Sequence, residues 1–260
     1  MKKLLIIAGS DSGGGAGIQA DIKTAQGFGV FSTTAITALT AQNTLGVQRV
    51  LPIPPAFVQA QINSVLSDIG ADAIKTGMLA NAEIISAVAQ SLANFKAPII
   101  IDPVMVATSG DKLLEENAIE LMQTQLFPLA TLVTPNIPEA EILAGMKIET
   151  QADMLVAAQK ILQFGCQAVL IKGGHMQGEK LVNLLVTPAK NWSFEYARID
   201  TKNTHGTGCT LASAIACGLV GGKKLNVAVK KAGDYVHKAI LGAILNAPDI
   251  GSGNNKPIWH

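Results

Sequence analysis

Short apolar runs rich in β-branched residues alternate along this chain with longer segments in which apolar residues recur every three or four positions. The first pattern marks strands buried on both faces and the second marks helices that bury one stripe. The alternation therefore predicts an α/β fold, a central, mostly parallel β-sheet flanked by helices on both faces. Strands are expected at Lys3–Ala8, Val30–Thr40, Ala73–Thr76, Ile99–Asp102, Thr131–Thr134, Ala168–Lys172, Leu181–Val186 and Phe194–Arg198. Helices are expected over Pro55–Ile69, Asn81–Phe95, Glu115–Leu126, Pro138–Ala144, Gln151–Phe164, Thr207–Leu219 and Leu225–Leu245, with a further helix opening at Ile18–Asp21. Gly221-Gly222 separates the last two. The pair Leu181–Val186 and Phe194–Arg198, joined through Pro188, is the one stretch that reads as antiparallel. No linker or repeat interrupts the pattern, so residues 1–260 read as a single domain. Only the tail, 249–260, with its glycines and asparagines, is expected to be extended or mobile.

Composition narrows the class. With 260 residues and 48% hydrophobic side chains the chain can build one large core without metal or disulfide support. Twenty basic against nineteen acidic residues give a net charge of +1 with no long run of one sign, and aromatic residues are only 4%, which argues against a nucleic-acid partner. The longest uncharged stretch, Thr24 to Gln48, contains eleven polar side chains of the Gln, Ser, Thr and Asn types and three glycines, too many for a membrane span. The start, Met1-Lys2-Lys3 and then Leu4 to Ala8, has too short an apolar run for a secretory signal and meets Asp11 instead of a cleavage site. Cys166, Cys209 and Cys217 are an odd number without CxxC spacing. These features together predict a soluble, cytoplasmic protein with no membrane association.

Candidate chemistry lies where strands run out into helix starts. The first such loop, Gly9 to Gly17, holds five glycines in nine residues and can turn backbone N–H groups toward a ligand, or can simply be a tight strand-to-helix turn. Nucleotide signatures fit poorly there. Counted from Gly13 the sixth position is Ile18, counted from Gly15 only the looser alanine-ended form is met at Ala20, and GxxxxGK[ST] occurs nowhere. The strongest local signal is Thr201 to Thr210, whose Gly206-Thr207-Gly208 turn opens an apolar helix. Unpaired N–H donors at a helix start make an anion site suited to a transferring phosphoryl group. Cys209 in that turn would have its thiolate favoured and could take a proton from a hydroxyl; a Gly-rich cap with a structural cysteine is the alternative. Asn136 and Glu139 lie one turn apart at a helix start, able to order waters around magnesium or, for Glu139, merely to face the helix dipole. Lys172, before Gly173-Gly174, can neutralise phosphate or be a solvated strand-end lysine. Asp102 can hold a metal or orient a phosphate, and Gln42-Asn43 and Gly77-Met78 form a rim for a flat heterocycle. The histidines His175, His205, His237 and His260 show no metal spacing, so zinc is not expected.

Seven of these segments in order, GSDSGGGAGIQAD (9–21), ALTAQNTLG (38–46), KTGML (75–79), DPVM (102–105), TPNIPE (134–139), KGGH (172–175) and TKNTHGTGCT (201–210), make the chain resemble the ribokinase-like superfamily, and within it the hydroxymethylpyrimidine/phosphomethylpyrimidine kinases of thiamine biosynthesis. The resemblance spans essentially the whole chain. It implies ATP- and magnesium-dependent phosphorylation of 4-amino-5-hydroxymethyl-2-methylpyrimidine and then of its monophosphate. It further implies a pyrimidine pocket of Gly9, Ala16, Asp21, Gln42, Met78 and Val104, in which Gln42 bonds the amino and nitrogen edge of the ring. Catalysis would fall to Cys209, the Gly206, Thr207 and Gly208 anion hole, and Lys172; nucleotide binding to Asn136, Lys172, Asn203, Thr207 and Gly208; magnesium to Asp102, Asn136 and Glu139, directly or through water. A homodimer is expected on the same ground. Two departures stand out. Ser12-Gly13 replaces the family's common proline and serine, and the tail matches its Gly-rich ending only loosely. The rival readings are a pyridoxal or pyridoxine kinase of the same branch, a non-catalytic pyrimidine-binding module and a nicotinamide oxidoreductase.

Overall fold

The computed structural model describes residues 1–105, 116–175, 178–246 and 250–260. Its strands are, in chain order, β1 (Lys3–Ser10), β2 (Phe31–Asn43), β3 (Gly46–Pro52), β4 (Ala73–Thr76), β5 (Ile99–Ile101), β6 (Leu132–Val133), β7 (Val169–Lys172), β8 (Lys180–Val186), β9 (Asn191–Ala197), β10 (Asn203–His205) and β11 (Lys256–Pro257). Its α-helices are α1 (Gly17–Gly27), α2 (Pro55–Asp68), α3 (Ala82–Leu92), α4 (Glu116–Leu121), α5 (Ile137–Ala144), α6 (Gln151–Leu162), α7 (Thr207–Val220) and α8 (Leu225–Asn246).

Leu4 to Ala8 are all fully buried because β1 lies mid-sheet and is covered on both sides, which is why its sequence shows no polar alternation. The nine strands of the main sheet run in the order β3-β2-β1-β4-β5-β6-β7-β8-β9. All pairings from β2 to β7 are parallel, while β3, β8 and β9 are antiparallel to their neighbours. Two apolar layers result. Leu4, Ile6 and Ala8 pack with α1, α7 and α8, and Leu5 and Ile7 pack with α2 through α6. The expected fold is therefore the observed one. Because β1 has β2 on one side and β4 on the other, the chain reverses its march across the sheet here, and a crevice opens beyond the carboxyl ends of β1 and β4.

The differences are local. Strand β2 runs three residues past Thr40 because β3, absent from the sequence reading, pairs with its end, Gln42 opposite Val47 and Asn43 opposite Gly46. Beyond Val47 the side chains of β3 are exposed on both faces, so no alternation announces it. Glu115, the expected start of one helix, lies outside the described residues; α4 ends at Leu121 and gives way to a wider π-turn, Met122–Leu126. The tail passes the β2–β3 turn, where the N–H groups of Gly253 and Asn255 donate to Thr44 at 3.1 and 3.2 Å. It then adds β11 to β10; Asp249 lies outside the described residues.

Candidate active site

A cleft of about 630 Å³ lies at that crevice, within the size range of small-molecule sites. Gly9, Ala16, Gln42, Met78 and Val104 line one part of it, and Asp102, Asn136, Glu139, Lys172, Thr207, Gly208 and Cys209 another. Residues spread over two hundred positions meet because each lies just past a strand end or at a helix start. The approach is close: a Cβ added to Gly9 would lie 2.5 Å from the Cε of Met78.

The expected anion site would be a backbone one. Gly206 precedes α7 with φ 83°, a left-handed conformation that favours glycine, and a Cβ there would collide with the carbonyl of Gly15. No side chain caps α7, and its first backbone bond joins the Thr210 N–H to the Gly206 carbonyl. The N–H groups of Thr207, Gly208 and Cys209 precede that bond and sit at the positive end of the dipole. A Cβ on Gly208 would stand 3.3 Å from the Lys172 ammonium and 3.5 Å from an Asp102 oxygen, which sets the lysine beside the turn.

Lys172 is no solvated lysine. Its ammonium contacts Asp102 at 2.8 Å, and Asp102 also accepts from the Thr134 hydroxyl at 3.2 Å. Burial works against its charge, but Asp102 and Glu139 prevail and hold its pKa above the ordinary value. Asn136 and Glu139 form a capping box. The Glu139 N–H donates to the Asn136 side chain at 2.9 Å and the Asn136 N–H to the Glu139 carboxylate at 2.8 Å. Burial, with Asp102 adding to it, pushes the Glu139 carboxyl up to about 7 against the pull of Lys172. Two buried carboxylates share one lysine here, so the pocket is short of positive charge, and its oxygen donors suit magnesium. Among the described residues no three metal-ligating side chains converge, so phosphate oxygens and water would complete such a coordination shell.

Three expectations change. Asp21 is not on the cleft wall: it is fully buried behind Lys75, whose ammonium lies 2.9 and 2.8 Å from its two oxygens, and the Ser213 hydroxyl donates to it at 2.7 Å. Lys75 does line the cleft. Burial opposes the Lys75 charge, but the carboxylate of Asp21 overcomes it and holds the ammonium above its usual range. Asn203 is likewise off the wall, paired in β10 with Lys256 while Thr204 and His205 face the cleft. The donors around Cys209 do not favour its thiolate either. Burial pushes the thiol up to about 11, since Lys75 and the Gly17 N–H only partly offset burial and the charges of Asp21 and Asp102. Cys166 and Cys217 are buried, as core cysteines should be.

Sequence reasoning passed over Asp11, His205 and Lys75. Asp11 and His205 are 3% and 7% exposed and in contact at 2.8 Å. Both stood inside quoted motifs, but a lone histidine judged by metal spacing gives no hint of a carboxylate 194 positions away.

The fold, with the N–H donors of a helix start opening onto a cleft beyond the strand ends, is that of an α/β phosphotransferase. The sequence model of the phosphomethylpyrimidine kinase family matches residues 11–258, and the chain belongs to that family, within the ribokinase-like fold. It is 48% identical over 250 residues to a hydroxymethylpyrimidine/phosphomethylpyrimidine kinase of Streptomyces coelicolor, covering 96% of this chain and 91% of the relative. The crystal structure of a phosphomethylpyrimidine kinase from Clostridium difficile superposes with a TM-score of 0.83 at 41% identity, covering 92% of this chain and 100% of that one. A pyridoxal kinase of Bacillus subtilis in complex with ADP superposes with a TM-score of 0.89 at 38% identity, covering 100% and 97%.

Proposed function

We propose that this enzyme transfers the γ-phosphoryl group of ATP to the hydroxymethyl group of 4-amino-5-hydroxymethyl-2-methylpyrimidine, then a second to the monophosphate, supplying the diphosphate used in thiamine biosynthesis. The observation that carries this is the convergence of the Gly206–Cys209 turn and the Lys172–Asp102 pair on the cleft that Gln42, Met78 and Val104 line.

In the proposed reaction the substrate hydroxyl oxygen bonds to phosphorus as the bond to the ADP oxygen breaks. The three N–H groups of the α7 turn and the Lys172 ammonium hold the charge on the phosphoryl oxygens, so positioning and charge neutralisation do most of the work. Asp102, Asn136 and Glu139 would hold magnesium, directly or through water, and the ion would neutralise charge on the polyphosphate. Cys209 takes the hydroxyl proton. As a thiol it must first lose its own, and the Lys75 ammonium is the neighbour that brings its thiolate within reach. In a loose transition state the proton leaves late, so a scarce base suffices. Residues 1–260 act as one domain in the cytoplasm; among the described residues no helix is long and apolar enough to cross a membrane. Leu39 and Leu51, opposite one another on β2 and β3 and both exposed, offer apolar surface to a second copy in a homodimer, which sedimentation equilibrium would detect.

The second reading, a pyridoxal kinase, is favoured by the likeness to the B. subtilis enzyme. Coupled measurement of ATP consumption separates the two. Turnover with the aminopyrimidine alcohol well above that with pyridoxal is expected, and the reverse order would overturn the assignment.

A further inference from the structure

Gln42 is held from two directions by the loop after β1. The β2–β3 ladder shifts register between Ala41 and Gln42, and Ser12 takes up the backbone there: its hydroxyl donates to the Gln42 carbonyl and accepts from the Gln42 N–H, both at 2.8 Å. The side chain is governed by Asp11. That carboxylate accepts the N–H groups of Gly13, Gly15 and Ala16 at 2.8, 3.1 and 2.9 Å and faces Nε2 of His205 at 2.8 Å. Burial would raise its pKa, but the bonds from His205, Ala16 and Gly13 outweigh burial and keep it low, so it is ionised and can only accept. The proton between them therefore belongs to Nε2. Nδ1 is buried without a hydrogen-bond partner among the described residues.

That proton decides which way the Gln42 amide faces. As placed, Gln42 Nε2 lies 3.3 Å from His205 Nε2, and Gln42 Oε1 accepts from the Thr40 hydroxyl at 3.2 Å, although that hydroxyl also donates to the Ser10 carbonyl at 3.0 Å. Two N–H groups then face each other and one hydroxyl proton is claimed twice. A half-turn of the amide, which exchanges oxygen and nitrogen without changing shape, frees the Thr40 hydroxyl for Ser10 and turns the facing N–H groups into a donor opposite an acceptor. Oε1 then takes the longer arm of a three-centre bond from the Nε2–H that Asp11 holds, and the NH2 group donates to Thr40 with its second hydrogen free for the cleft. The open edge reads, in a fixed order, one acceptor and one donor.

We infer that Asp11 and His205 are positioning residues that lock the Gln42 amide in this order and thereby select a ring carrying an amino group next to an acceptor nitrogen. The inference rests on the pyrimidine-kinase reading above. A pyridoxal-type ring has no amino group beside its nitrogen and gains nothing from the lock, so the pair sets specificity through Gln42.

The test is a kinetic cycle on the full chain, measuring kcat and KM with the aminopyrimidine alcohol, pyridoxal and ATP for the parent, His205→Phe, His205→Gln, Asp11→Asn, Gln42→Ala and the double variant His205→Phe/Gln42→Ala. His205→Phe and Asp11→Asn should raise KM for the aminopyrimidine about tenfold or more, with KM for ATP and pyridoxal within about twofold. His205→Gln, whose amide can still donate to Asp11, should recover most of the loss. In the Gln42→Ala background His205→Phe should add nothing. The inference is overturned if His205→Phe harms both alcohols equally, or if its full factor persists without Gln42, because either result means a structural role. Should His205→Phe fail to fold, Asp11→Asn, which leaves the ring in place, decides by the same readouts. A parent enzyme that turns over only pyridoxal overturns the underlying reading as well, and the parent measurement alone reveals that.

Discussion

Raising the pH from 7 to 10 should increase the thiolate fraction of Cys209 about a thousandfold. With its thiol pushed up to about 11, only about one molecule in ten thousand carries the thiolate at pH 7, against about one in a hundred for an ordinary cysteine at 9.0. At pH 10 the fraction is about one in ten. The cause is specific: burial and the charges of Asp21 and Asp102 oppose the anion more strongly than Lys75 and the Gly17 N–H support it. Iodoacetamide labelling followed by mass spectrometry reads this directly, since Cys166 and Cys217 are buried and Cys209 alone borders the cleft. At pH 7 labelling should be about a hundredfold slower than for free cysteine and should climb about tenfold per pH unit. If the sulfur is the proton acceptor, kcat at saturating substrates follows the same slope, and Cys209→Ala lowers kcat by about 10²–10⁴ while changing KM little. A labelling midpoint near 8 would refute the electrostatic reasoning. A kcat that is flat from pH 7 to 9.5, or unaltered by Cys209→Ala, would remove Cys209 as the base.

Three other outcomes follow from the geometry. Lys75→Met strands the Asp21 carboxylate in the core and should cost about 3–5 kcal/mol in urea unfolding, much of it recovered in Lys75→Met/Asp21→Asn; equal losses in the two variants would argue against a buried ion pair. Gly206→Ala forces a side chain into a left-handed conformation against the Gly15 carbonyl, so stability should fall by about 1–3 kcal/mol and kcat by about 10²–10³, and parent-like turnover would dismiss the backbone anion hole. Glu139→Gln preserves the capping box but removes the charge, and should raise the magnesium concentration for half-maximal rate about tenfold while leaving KM for the alcohol unchanged; an unmoved magnesium dependence would exclude Glu139 from the metal site.

Much of the fold was legible because burial leaves a period in the sequence. β4 (Ala73–Thr76) stands where its apolar run placed it, and α7 begins at Thr207 as the Gly-Thr-Gly signal required. β3 was not legible, because a strand exposed on both faces has no apolar side to mark it. Of the residues that line the cleft, Gln42, Met78, Lys172 and Cys209 were legible because each belongs to a local motif at a strand or helix end.

The chain by itself determined the layers, the mostly parallel sheet, the glycine-rich turn that opens α7 and the family, all of which depend on near neighbours in sequence or on a hydrophobic period. Only the tertiary structure decided that Asp21 pairs with Lys75 behind the cleft wall, that burial raises the Cys209 thiol, and that Asp11 and His205 meet beside Gln42. Each of these turns on distance and dielectric surroundings between residues far apart in the chain. A charge in the core is stabilised or penalised by whatever lies within a few ångströms of it, and sequence spacing carries no record of that.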